Sequence, residues 1–376
     1  MFFKKMSYKG LKRLFYIALI IYFILSILIF PQRSIDAAKG ALSLCANVLI
    51  PSLFVFFVLS SLLISLGFAS IICRPLSHLM HPLFGVSGAG ALCLVLGTIS
   101  GYPLGASCVC DMYKSGALKK REAEKLLAFC NNSGPLFIIG CVGTSIYNSQ
   151  KIGIMLYVIH VLSAISTGVL LGLFSRRESK KQIHFDNISM HCTKPVGIML
   201  KQSISQSIEN ILLVCGYTVI FAVIISTFEP FLTSSFLSLL LCGILEISNA
   251  TQLIGISSLP FATRMILTSL VMGFAGISVH LQVMGILSKT DLNAKTYFLG
   301  KALHALIASL YTYLFIDNFL VTTSSAYMYP NTAYIIDFAA AIRLSLLYIA
   351  CIVIVFLVFL SIEKIYKWQE SVKHKE

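Results

Sequence analysis

The residues best suited to chemistry form two short polar runs set inside apolar stretches. One is Ser100-Gly101-Tyr102-Pro103-Leu104-Gly105 and the other is Asn131-Asn132-Ser133-Gly134-Pro135. Neither carries a charged side chain, so what they can offer is hydrogen bonding. Pro135 has no N–H and its ring clashes with the carbonyl of Asn131, so a helix arriving from the N-terminal side ends near Cys130. Proline suits the first turn of a new helix, and Asn and Ser suit the capping positions before it. The expected product is a half-helix starting at Pro135. Its unpaired amides and partial positive charge would then face an anionic or polar group. The alternative is a kink packed against a neighbouring helix. The run from Ser100 to Gly105 offers a second compact turn, with glycines that let a ligand approach the backbone.

Other candidates are single residues. Glu246, followed by Ser248 and Asn249, could carry a coupling proton or cation, or pair with a basic side chain. Gly276 stands where a second-half counterpart of Gly134 is expected, with Ser278 and Gln282 one turn apart as polar liners. Arg264, Lys301 and Arg343 fall within expected spans. The first two lie near span ends and are expected to snorkel. Arg343 is deeper, six residues from Asp337, and is kept as a candidate for substrate binding. His160, His280 and His304 are expected to hydrogen-bond neighbouring helices. No zinc-binding His-Glu pattern, phosphate loop or Ser/His/Asp set is legible, so an enzyme is not expected, nor any cofactor or metal. The eleven cysteines are scattered, and the one close pair, Cys108 and Cys110, lacks further ligands nearby.

The elements that must position these residues follow from composition. Of 376 residues 57% are hydrophobic and 12% charged, which places the chain among all-α polytopic membrane proteins. Spans are expected at 14–31, 47–67, 124–147, 152–174, 204–228, 260–288, 296–318 and 335–362. Two further apolar segments, 86–106 and 236–257, are rich in helix breakers. Charge decides how they run. If both are re-entrant hairpins, the loops 1–13, 68–85, 107–125, 175–201, 289–295 and 363–376 share one side and hold 23 of the 29 Lys and Arg. Full crossings would put the basic 107–125 and 175–201 stretches outside, against the positive-inside bias. Hairpins and cytoplasmic termini are therefore expected. The net charge of +14 belongs to these loops, so nucleic acid is not an expected partner.

The halves repeat. Asn47-Val48-Leu49 matches Asn210-Ile211-Leu212, Gly134 and Gly143 match Gly276 and Gly285, and the sequence around His160 echoes that around His304. The first unit opens with a span running inward and the second with one running outward, so the repeats are inverted, as in many secondary transporters. The expected organisation is an anchor span (1–34), a first repeat (35–174), a basic linker (175–200), a second repeat (201–318), a final span (319–362) and a tail (363–376).

Ser100-Gly101-Tyr102-Pro103-Leu104-Gly105-Ala106, then a charged segment, then Asn131 to Gly140 is a combination that resembles the YlbJ/SpoVV-like sporulation integral membrane proteins. Their membrane core is the nucleoside-recognition or Gate domain. The resemblance covers about 35 to 362 and is concentrated in 85–145. It implies a role in spore formation: transport of dipicolinate, a small planar dianion, from mother cell toward forespore across the outer forespore membrane. The implied partners are that anion and the lipid bilayer, with a homo-oligomer left open. Related Gate domains move nucleosides or ferrous iron, so the fold alone leaves the substrate open, and a non-transporting scaffold for the spore envelope is a third reading. The second half departs from the first, since Gly276-Ile277 replaces Gly134-Pro135 and no second Gly-Tyr-Pro is present.

Overall fold

The computed structural model describes residues 8–66, 68–173, 195–228 and 235–316, which are helical and contain no strand. Arg343, Asp337, the expected span 335–362 and most of the linker 175–200 lie outside the described residues.

Helix α1 (Tyr8–Ile29) is apolar, with large side chains exposed along its length. The chain then bends by 100° at Phe30 into α2 (Pro31–Leu44). Pro31 opens α2 because its missing N–H costs nothing in a first turn. From there the helix continues through one wide π-type turn, Cys45–Leu49, into α3 (Ile50–Ser65). The stretch 32–46, expected as a loop, is thus helical. A Gln32 to Asp36 side-chain bond one turn apart and burial of Ala41 and Leu44 favour that state. The stretch 68–85, also expected as a loop, forms α4 (Phe68–Phe84), whose Phe84 stacks on Phe129 with ring centroids 4.9 Å apart.

The first breaker-rich segment is a helix hairpin of α5 (Gly90–Ile99) and α6 (Leu104–Lys114). Ten residues of α5 span only ~15 Å, about half a bilayer core. The two helices run antiparallel. Cys93 Sγ lies 3.5 Å from Cys108 Sγ, and Gly97 meets Gly105 across the turn. Both helices close on one backbone carbonyl, that of Cys130, against which a side chain at either glycine would collide. The base of the hairpin is tied together at one end. Glu122 accepts from Ser87 N at 3.0 Å, and Lys125 donates to the Gly85 carbonyl at 3.0 Å. The segment therefore leaves at the end where it entered.

Next comes α7 (Lys120–Cys130), a non-helical break at 131–134, and a wide π-type helix (Leu136–Ile146) with Pro135 at its start. The helix end near Cys130 and the restart at Pro135 agree with the sequence expectation. Helix α8 (Gln150–Leu173) returns along it, with Gly143 closed on Gly153.

The second half also holds a pair of short helices followed by a broken helix, without a described counterpart of α4. After α9 (Val196–Phe228), two short helices, α10 (Ser235–Leu245) and α11 (Ile247–Ile256), join at Glu246. Then α12 (Phe261–Phe274) and α13 (Gly276–Leu287) break at Ala275 and Gly276, both with left-handed φ, +79° and +78°. Helix α14 (Lys295–Leu314) closes the set. Packed against α7, α8 and α12, it joins two of the three hydrophobic clusters among the described residues. Gly300 gives it close approach to Ala128, and Gly273 receives Ala305.

Among the described residues, Gln150–Leu173, Val196–Phe228 and Phe261–Leu287 are long and apolar enough to cross a membrane. The bent pair Arg13–Ile29 and Pro31–Leu49 is a fourth candidate. The chain is a helical membrane protein.

Candidate functional site

A cavity of about 600 Å³, counted with its open mouth, lies where the two helix breaks meet the two hairpin turns. In the first half the break rests on the α5–α6 turn. Gly134 lies against the Ser100 carbonyl and Gly101, where Gly101 has φ +75° and a side chain would sit 2.6 Å from Gly134 N. That contact requires glycine at 101. In the second half the break rests on the α10–α11 joint, with Gly276 against the Leu245 carbonyl and Glu246 N. The expected match of Gly134 with Gly276 is thus a match of place. Gly143 and Gly285 do not correspond in this way: Gly143 is closed on Gly153, while Gly285 faces open space.

Of the residues singled out from the sequence, Ser100, Gly101, Tyr102, Gly134, Glu246, Ser278 and Gln282 line the cavity. Apart from Arg343, which lies outside the described residues, the others surround it. Pro103 stands at the start of α6 after a cis Tyr102–Pro103 peptide, and Pro135 opens the π-type helix. Gly105 packs on the Cys130 carbonyl. Asn131, Asn132 and Ser133 are buried at the break, and Asn132 Nδ2 donates to the Phe129 carbonyl at 2.8 Å. Asn249 Nδ2 donates to Glu246 at 2.8 Å and to the Thr218 carbonyl at 3.2 Å. The amide of Ser133, just before the half-helix, is taken internally, since it donates to His160 Nε2 at 3.1 Å.

Glu246 is a helix cap. Its carboxylate accepts from Ser248 N at 3.0 Å and Asn249 N at 2.7 Å, which satisfies the orphan amides of α11. Among the described residues no basic side chain pairs with it, the other reading left open by the sequence. The spare polarity of the wall comes from hydroxyls and an amide: Ser100, Ser278 and Gln282, with Thr218 from α9. Phe56 and Phe57 of α3, Phe137 and Tyr217 supply aromatic surface. These rings escaped the sequence reading because phenylalanine and tyrosine in an apolar span carry no signal of which face they occupy.

Tyr102 is pinned across the break. Its hydroxyl accepts from Ser133 Oγ at 2.9 Å and donates to the Met272 carbonyl at 3.3 Å, so it joins the two halves. Behind it the histidines bond neighbouring helices, as expected. His304 Nε2 donates to the His160 carbonyl at 2.9 Å, and the two rings pack 4.4 Å apart. Residues paired from sequence similarity between the halves thus touch in the fold. His280 Nδ1 lies 2.8 Å from the Tyr297 hydroxyl. Arg264 donates to the Gly255 carbonyl at 2.7 Å, at the C-terminal end of α11, where a cation complements the helix dipole. Lys301 departs from expectation. It does not snorkel but is fully buried, because α14 sinks its first turns against α7.

The chain is 30% identical over 317 residues to the "Sporulation integral membrane protein YlbJ" of Bacillus subtilis (strain 168), covering 76% of this chain and 78% of that protein. No family model and no solved structure matches it. Identity at that level over most of both chains, in a helical membrane protein, fixes the kinship: the chain belongs to the YlbJ-like family of sporulation integral membrane proteins.

Proposed function

We propose that this protein is a transporter needed in spore formation, moving dipicolinate (pyridine-2,6-dicarboxylate) from the mother cell toward the forespore across the outer forespore membrane. The observation that carries the reading is the cavity at the meeting point of two hairpin turns and two broken helices. Half-helix ends in a membrane supply polar backbone only where it is buried or lines a cavity, and transporters place substrate there. The aromatic wall with few polar groups suits a planar ring. In this reading the chain has eight spans and two re-entrant hairpins, arranged as two inverted Gate-like repeats with cytoplasmic termini. Two contacts support the inversion. The first hairpin is based at the Glu122 end of the α7 to π-helix unit, whereas Gly255 of the second packs on Ile146 at the other end.

A nucleoside is the second reading, favoured by Glu246 and Gln282 in the wall, which could bind ribose hydroxyls. Purified protein in liposomes tests both. Uptake of labelled dipicolinate above that of protein-free vesicles, undiminished by excess uridine, is expected. No flux above the empty vesicles would sink the dipicolinate reading, and uptake of labelled uridine in its place would establish the second.

A further inference from the structure

The wall of the cavity presents one carboxylate, Glu246, and no Lys or Arg, which is the wrong balance for an anion. The missing charge lies one side chain away. Lys301 is 0% exposed, and its Nζ has no hydrogen-bond partner among the described residues. What it does face is the ring of Tyr102, 5.5 Å from Nζ to centroid. Tyr102 lines the cavity and Lys301 does not, so the ring is a partition between them. Among the described residues, the ionisable groups that interact with Lys301 are Cys130, His160, His280 and His304, none of them a carboxylate.

A buried amine without a counter-ion is costly, and in membranes such residues mark pathways. Two histidines beside it are also incompletely used: His160 Nδ1 and His304 Nδ1 are buried without a partner among the described residues, and both rings feel the Lys301 charge. On the cavity side of the ring, Ser100 Oγ is likewise buried without a partner among the described residues.

We propose that Lys301 is the carboxylate receptor of the cavity, held behind the ring of Tyr102 and reached when that ring turns aside. The inference rests on the transport reading for its substrate class, a small organic carboxylate. The ring holds the ammonium by its face alone, a contact that a charge-assisted hydrogen bond to a carboxylate outcompetes. Ser100, whose hydroxyl is unpartnered in the cavity wall, donates to the second carboxylate oxygen. Glu246 on another wall, engaged with the start of α11, repels the carboxylate and so orients it toward Lys301. Turning the ring also breaks its bonds to Ser133 and Met272, so carboxylate binding loosens a tie between the two halves.

The test uses the full chain in lipid nanodiscs, reading thermal midpoints and binding heats with dipicolinate, benzoate and succinate, and with neutral pyridine as control. The carboxylates are expected to raise the midpoint of the wild-type protein, and pyridine is not. Lys301→Met is expected to fold, since an apolar isostere replaces an unpaired amine, and to bind carboxylates at least tenfold more weakly. Lys301→Arg is expected to recover part of the loss. If Lys301→Met is not monodisperse, Lys301→Gln takes its place with the same expectation. A neutral variant that keeps wild-type affinity overturns the proposal, as does a wild-type protein that responds to no carboxylate. Dipicolinate flux separates this from the transport reading. Flux with an affinity indifferent to Lys301 leaves the transporter standing and removes the receptor. A Lys301-dependent response to benzoate or succinate without dipicolinate flux keeps the receptor and removes that substrate.

Discussion

Single atoms decide much of this site. The Cys130 carbonyl is gripped by Gly97 and Gly105, so the hairpin can lie against the broken helix only while both positions lack a side chain. Gly105→Ala is expected to destabilise the protein by about 1–3 kcal/mol, the usual cost of overpacking, read as a lower thermal midpoint in detergent. A wild-type midpoint would mean that the hairpin sits farther out. Glu246 permits a graded test. Glu246→Ala removes the cap of α11 and is expected to cost about 1 kcal/mol, whereas Glu246→Gln keeps one acceptor and costs less. Equal midpoints for the two variants would show that the capping bonds carry no stability. The importance of Ser100 to Gly105 and of Asn131 to Pro135 was readable from breakers in apolar stretches, because a glycine or proline there exposes backbone that lipid cannot satisfy. The burial of Lys301 was not, since position along a helix says nothing about which way the side chain turns.

At the scale of elements, the broken helices depend on what they rest on. Each break lies on the turn of the hairpin before it, so hairpin and half-helix are one unit in each half. The loops away from the cavity are tied as well. Asp291, between α13 and α14, accepts from Lys120 Nζ at 2.8 Å and from the Tyr113 hydroxyl at 2.7 Å, and Asn293 N donates to Glu124 at 2.8 Å. The Lys120 ammonium, and then the Tyr113 hydroxyl, hold the Asp291 carboxyl below its ordinary value, while Asp291 holds Lys120 above its own. The tie is therefore complete between the carboxylate and lysine ranges. It weakens as pH falls through the lowered Asp291 value, or rises through the raised Lys120 value. Being exposed, it is also screened by salt. Protection of the 288–294 amides, taken relative to their intrinsic exchange rates at each pH, is expected to fall in acid and at high salt in the wild type but not in Asp291→Asn. A variant that keeps the wild-type profile would count against the tie. These contacts also place the basic 107–125 and 289–295 loops at one end of the molecule, as the charge distribution required.

For the whole molecule, one cavity gathers the breaks of both halves, and α14 runs through the seam between them. His160 and His304, similar in sequence surroundings, meet there, and Tyr102 of the first half bonds Met272 of the second. On the transport proposal, the whole chain acts rather than a separable domain. A strain lacking it is therefore expected to form spores low in dipicolinate while the mother cell retains the compound. Normal spore content would argue for a scaffold.

The sequence by itself determined the membrane class, the place of the Pro135 restart, the folding back of the first hairpin and the two polar runs at the site. Each of these depends on local chemistry: hydropathy, loop charge, a missing amide or a missing side chain. Tertiary structure decided which polar groups remain unspent. It turned Glu246 into a cap, gave the amide of Ser133 to His160, sank Lys301 behind Tyr102 and brought Phe56, Phe57 and Tyr217 into the wall. Those outcomes depend on distances between segments far apart in the chain. A side chain's partner is chosen by what packs against it, which no local pattern records.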